Sequence, residues 1–201
     1  MTLVADGSAT GEGLVDIVNG AGTLDISNQV AQTVNLSLSD SQTTGFAVTS
    51  TQDVVFAHGA ATQLAITQQP TTTVAGVSIS PALTVEVQDQ YGNTVTTGGD
   101  STASVAVALS TGTGTLSGTT PVAAVAGVAT FGDLSIELIG TDKELTFSSG
   151  SLTSAVSNSF TITHAAASQY IISDPTDGTV DAAITVTVQL QDQFGNTVHR
   201  I

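Results

Sequence analysis

The sequence predicts an all-β protein made of Greek-key β-sandwiches in tandem, about seven strands to a sandwich. Three observations predict it. Apolar and polar residues alternate with a period of two along most of the chain, and no stretch shows helical periodicity. Turn signals built from Gly, Thr, Ser and Asp recur about every 8–12 residues. Thr and Ser are abundant while Lys and Arg together number 2, so helix formation is starved and strands and turns are favoured.

The strands are clearest between residues 60 and 163. Leu64 and Ile66 form a short strand stopped at Gln68-Gln69-Pro70. Leu83, Val85 and Val87 face one way while Thr84, Glu86 and Gln88 face the other. Val105, Val107 and Leu109 form the next stripe, ended by Thr111-Gly112-Thr113-Gly114. Val128–Phe131 follows Gly127, and Leu134, Ile136 and Leu138 alternate with Ser135 and Glu137. Leu145 and Phe147 lead into Ser148-Ser149-Gly150, and Phe160 and Ile162 close the unit.

An internal repeat sets the organisation. Asp89-Gln-Tyr-Gly-Asn-Thr-Val95 returns as Asp192-Gln-Phe-Gly-Asn-Thr-Val198, 103 residues later. The neighbourhood of His58 returns around His164. The expected units are therefore 1–59, the C-terminal part of a domain; 60–163, a complete domain; and 164–201, the first strands of another. In the repeated segment the Asp follows an apolar stripe and is suited to accept from following backbone amides, as in an Asx-turn. Gly92 or Asn93 supplies positive φ, and Tyr91 is expected to fold back over the end of the core.

Leu83–Val95, together with Gly127–Phe131 followed by Asp133–Ile136, resembles bacterial immunoglobulin-like domains of the invasin/intimin and filamin-like kind. Gly22–Leu38 resembles the equivalent part of invasin-type repeats. The resemblance implies immunoglobulin-like sandwiches used as spacers, stalks or adhesin rods of large surface proteins, and it implies a fold more than a function.

Net charge is −15, with Lys143 and Arg200 the whole basic complement. Nucleic-acid binding needs several phosphate-neutralising side chains, and adsorption to anionic membranes needs a basic patch, so neither partner is expected. The apolar run Pro121–Phe131 is far short of a membrane helix, so no membrane insertion is expected. The first residues have neither a basic region nor an apolar core and do not read as a signal peptide. With no Cys, disulfides and thiolate chemistry are absent. An extracellular or cell-surface location is expected.

No residue pattern argues for catalysis. His58 and His164 share one repeat position at a unit boundary and read as linker residues, and His199 has no carboxylate neighbour in sequence. There is no Gly-x-Ser-x-Gly elbow. Gly112, Gly114 and Gly118 precede no helix and read as hairpin glycines, not a phosphate loop. Lys143, the sole lysine, falls in a loop-like segment and is poorly placed for a covalent staple to an Asn. No cofactor is expected; the candidate Ca²⁺ ligands are Asp174, Asp177 and Asp181, whose spacing departs from that of an EF-hand.

The two partial units carry apolar stripes that neither can bury alone. Ile184, Val186, Val188 and Leu190 would lie open in the last, and Ile26, Leu36, Leu38, Val54 and Phe56 in the first. Each exposed aliphatic forgoes about 1.5–3 kcal/mol of burial. The expected partners are copies of the chain or neighbouring repeats, joined head to tail into an open rod or filament. The alternative is an adhesin-type module binding a carbohydrate or a cell-surface receptor.

Overall fold

The computed structural model describes residues 1–173 and 175–199. Strands take up 43% of the chain and helix 2%, confirming the all-β class.

The N-terminal stretch holds β1 (Thr2–Ala5), β2 (Gly13–Leu14), β3 (Gln32–Ser39) and β4 (Thr51–Phe56). They form one antiparallel sheet in the order β2-β1-β3-β4. The central stretch holds β5 (Gln63–Gln68), β6 (Thr73–Val74), β7 (Leu83–Gln88) and β8 (Ser104–Thr111). It continues with β9 (Leu116–Ser117), β10 (Val122–Ala123), β11 (Val128–Phe131) and β12 (Ser135–Ile136). It closes with β13 (Gly140–Ser148), β14 (Ala155–Val156) and β15 (Phe160–Thr163). The C-terminal stretch is a hairpin-like pair, β16 (Ala167–Ile172) and β17 (Val188–Asp192).

The centre is a sandwich. One sheet has the order β11-β7-β5, the other β10-β8-β13-β15-β6, with β14 beside β13. The period-two stripes meet between them: Leu83, Val85 and Val87 of β7 and Leu145 and Phe147 of β13 are wholly buried. Phe131 and Phe147 pack at 5.2 Å between ring centroids, tilted by 59°. Leu138 breaks the expected alternation: Leu134 and Ile136 are buried but Leu138 faces solvent, because the chain turns out of β12 toward β13 there.

Lys143 corrects an expectation. It lies inside β13, fully buried, with its ammonium donating to the Thr113 carbonyl. Burial pushes its pKa below the usual lysine range.

The two flanking stretches repeat parts of this sandwich. Leu38 pairs with Leu3 as Phe147 pairs with Val107, and Val34 pairs with Val54 as Lys143 pairs with Phe160. The N-terminal sheet is thus the β8-β13-β15 sheet without its cover. Of its aliphatic face only Val34 is fully buried; Ile26, Leu36, Leu38, Val54 and Phe56 are half-buried. Leu3, Leu24, Leu38, Val15 and Ile17 line an open trough of about 520 Å³ on it.

The hairpin repeats β5 and β7: Tyr170 pairs with Leu190 as Leu64 pairs with Val87. Val186 and Val188 stand where Leu83 and Val85 are buried, yet they are 47% and 56% exposed. β17 also starts at Val188 rather than at Ile184. In the sandwich β7 is held from Leu83 onward by β11 (Phe131 opposite Leu83), and β17 has no such neighbour. Among the described residues no strand of the hairpin pairs with a strand of the N-terminal sheet.

Phe147→Ala should destabilise the sandwich by about 3–5 kcal/mol, the cost of an aromatic-sized void. Val186→Ala should cost under about 1 kcal/mol in a dilute single chain, since half the side chain is already wet. Urea unfolding of both variants checks this; equal losses would contradict the difference in burial.

Candidate functional site

The repeated Asp-Gln-aromatic-Gly-Asn segment lies at the end of β7 and again at the end of β17 and builds two near-identical joints. Asp89 and Asp192 are buried. In the first joint Asp89 Oδ1 accepts from the backbone N–H groups of Tyr91 and Asn93, both at 2.9 Å. Asp192 Oδ1 accepts from those of Phe194 and Asn196, again at 2.9 Å. This is the expected Asx-type turn, with Gly92 at φ 84° and Gly195 at φ 83°.

The other carboxylate oxygen ties down the preceding linker. Gly59 N–H donates to Asp89 Oδ2 at 2.8 Å, and Ala165 N–H to Asp192 Oδ2 at 2.9 Å. Asn93 Nδ2 and Asn196 Nδ2 each add a donor to that oxygen, at 2.9 Å. Burial raises the Asp89 pKa, but these donors outweigh it and hold it at about 2. The same balance lowers Asp192 from its ordinary value.

Each Asn also reaches the short segment just ahead of β3 or of β13 and reads two of its main-chain groups. Asn93 donates to the Gln29 carbonyl at 2.8 Å and accepts from the Ala31 N–H at 2.8 Å. Asn196 donates to the Glu137 carbonyl at 2.7 Å and accepts from the Ile139 N–H at 3.1 Å. Sequence reasoning placed the Asp turn but missed this reach. Residue identity carries no signal for it, because both partners of each Asn are backbone groups.

The aromatics behave differently. Phe194 packs against the central core and touches the turn at Gly76. Tyr91, for which the fold-back over the core end was expected, is instead 54% exposed.

His58 sits at the first joint. Its Nδ1 lies 2.9 Å from the Gly59 carbonyl and so carries the proton, leaving Nε2 to accept from the Thr97 hydroxyl at 2.9 Å. His164 makes the same Nδ1 contact to Ala165. Among the described residues no histidine is hydrogen-bonded to a carboxylate. An open groove of about 460 Å³ beside this joint is lined by Thr, Ala, Asn93, Phe56 and His58.

Of the Ca²⁺ candidates, Asp174 lies outside the described residues, and Asp181 occupies a turn at φ 67°. Among the described residues no three Asp, Glu or His side chains converge in a way that would hold a metal.

No family model matches the chain, and no curated protein matches it. Solved structures give loose likenesses. Domains 4–9 of surface layer protein SbsC are 19% identical at a TM-score of 0.40, covering 100% of this chain and 29% of that one. Domains 1–6 of the same protein are 19% identical at 0.38, covering 92% and 22%. A β-glycosidase from Bacteroides vulgatus is 12% identical at 0.36, covering 80% and 21%. The chain spans less than a third of each of these chains, and the likenesses carry no argument about activity.

Because Asp89 is more acidic folded than unfolded, its contribution is complete above the ordinary carboxylate range and is lost as pH falls toward 2. The Gly59 amide resonance should therefore titrate with a midpoint near pH 2; a midpoint near 4 would show that the carboxylate is not so held. Asp89→Ala should cost about 1–3 kcal/mol in chemical denaturation, since it strands several buried donors.

Proposed function

We propose that this chain is a structural repeat of an extracellular bacterial surface protein, forming a rod by head-to-tail completion of split immunoglobulin-like domains. Residues 60–163 are the whole domain. Residues 164–201 of one copy and 1–59 of the next make the split one.

The observation that carries this is the exposure of matched core positions. Leu83 and Val85 are fully buried in the sandwich, while their counterparts Val186 and Val188 are about half exposed. The N-terminal sheet presents the complementary face, with an apolar trough where the missing sheet would lie. The two partial units supply between them the strands of one sandwich, the hairpin giving the β5-β7 pair and the N-terminal sheet giving β8-β13-β15. The contact is heterologous, so it propagates unless rotation closes it.

The composition suits an extracellular rod. The surface is rich in Thr and Ser and strongly acidic, and the single lysine is buried. At low salt the charge holds neighbouring rods apart. The exposed aromatics Phe46, Tyr91 and Tyr170 sit in two separate loops and on β16, which gives little support to a carbohydrate-stacking platform.

Sedimentation velocity tests the proposal. The chain should form concentration-dependent linear oligomers, and Val188→Asp or Leu38→Asp should leave monomers with the central sandwich intact. Oligomers that survive both substitutions would place the contact elsewhere, and a chain monomeric at high concentration would contradict non-covalent completion.

A further inference from the structure

We propose that Tyr91 and Asp181 form the aromatic half of the joint across the seam between successive copies, Tyr91 of one copy seating against the Thr179–Ala182 turn of the preceding copy. The proposal rests on the head-to-tail completion described above and names the residue pair that fixes its register.

The argument starts from the joint that is complete within the chain. Phe194 lies against the turn at Gly76, which is closed by Val77 N–H donating to the Val74 carbonyl at 3.1 Å. Gly76 has φ 73°, and a Cβ there would come within 2.2 Å of the Phe194 Cζ. The ring therefore occupies the space a side chain would take.

The same turn recurs 105 residues later. Ala182 N–H donates to the Thr179 carbonyl, again at 3.1 Å. Asp181 stands at the Gly76 position with φ 67°, a left-handed conformation that Asp tolerates better than most side chains. The Asp-Gln-aromatic-Gly-Asn segment that follows Asp181, the one at Asp192, is bound to the central sandwich, and its aromatic, Phe194, is seated at Gly76.

The first joint is missing the opposite half. Its polar part is complete, because Asn93 holds Gln29 and Ala31 just as Asn196 holds Glu137 and Ile139. Its aromatic, Tyr91, is 54% exposed. The N-terminal sheet repeats β8, β13 and β15 but not the β5–β7 segment that carries the Gly76 turn. That segment is what residues 164–201 of the preceding copy would supply. Docked as β5 and β7 dock, they bring the Thr179–Ala182 turn to Tyr91.

The chemistry of the two pairs is matched. Phe fits Gly because the ring needs the Cβ space. Asp181 adds a Cβ and a carboxylate, so the ring must stand off, and tyrosine brings the hydroxyl donor that a carboxylate at a closing interface requires. Phe against Asp would leave the carboxylate without that donor, and Tyr against Gly would leave the hydroxyl unpaired. The two joints are therefore not interchangeable, and whole and split domains alternate in fixed order.

The absence of native cysteine makes the test direct. A chain carrying Tyr91→Cys and Asp181→Cys should, on mild oxidation, give a ladder of disulfide-linked multimers on non-reducing gels, at least tenfold faster than Tyr91→Cys with Asp177→Cys. Two copies joined end to end, with Asp181→Cys in the first and Tyr91→Cys in the second, should close one internal disulfide. If the joined copies protect the β3 amides from exchange beyond their level in one copy, yet cross-link no faster than the Asp177 control, the residue pair is wrong and head-to-tail completion stands. If those amides gain no protection and no cross-link forms, both fail. A cross-link within one monomeric chain would also overturn the pair.

Discussion

A sheet of a β-sandwich has one apolar face, and that face is stable only when a second sheet covers it. This constraint organises the whole chain. Between residues 60 and 163 it is met, and the stripes of β7, β8 and β13 vanish from solvent. On either side it is not met. The N-terminal sheet and the C-terminal hairpin keep the pairing registers of the sandwich while their core positions stay partly wet. Strand pairing is thus kept in part on both flanks, and burial falls short there.

The joints tie each linker and its turn to the stretch that precedes them. A buried carboxylate gathers the turn, the linker and the Asn side chain, and the Asn then grips two backbone groups of the segment just ahead of β3 or of β13. Because that grip reads main chain, the same motif serves against Gln29–Ala31 and against Glu137–Ile139, whose sequences differ. What distinguishes one joint from the other is apolar and steric, the Phe194–Gly76 contact against an exposed Tyr91. The two joints thus share one polar clamp and differ in their aromatic.

The strands, their facing and the repeat were legible in the sequence because period-two alternation and the copied Asp-Gln-aromatic-Gly-Asn segment are local signals. The buried Asp turn was legible for the same reason. The reach of Asn93 and Asn196 was not, since both partners are backbone groups and leave no trace in residue identity. Lys143 misled because a polar residue among Thr141, Asp142 and Glu144 looks like a loop, whereas the bulge in β13 turns it inward toward the Thr113 carbonyl. Tyr91 misled in the other direction: it holds the same motif position as Phe194, yet it is exposed where Phe194 is seated at Gly76.

The central claim is that the hairpin of one copy covers the N-terminal sheet of another. An isotope-filtered NOE measurement on a mixture of ¹³C-methyl-labelled and unlabelled chains tests it most directly. The account predicts intermolecular NOEs linking the methyls of Val186, Val188 and Leu190 in one chain to Leu3, Leu36 and Leu38 in another. Intermolecular NOEs confined to other surfaces, or a spectrum in which these methyls meet only residues of their own chain, would contradict it.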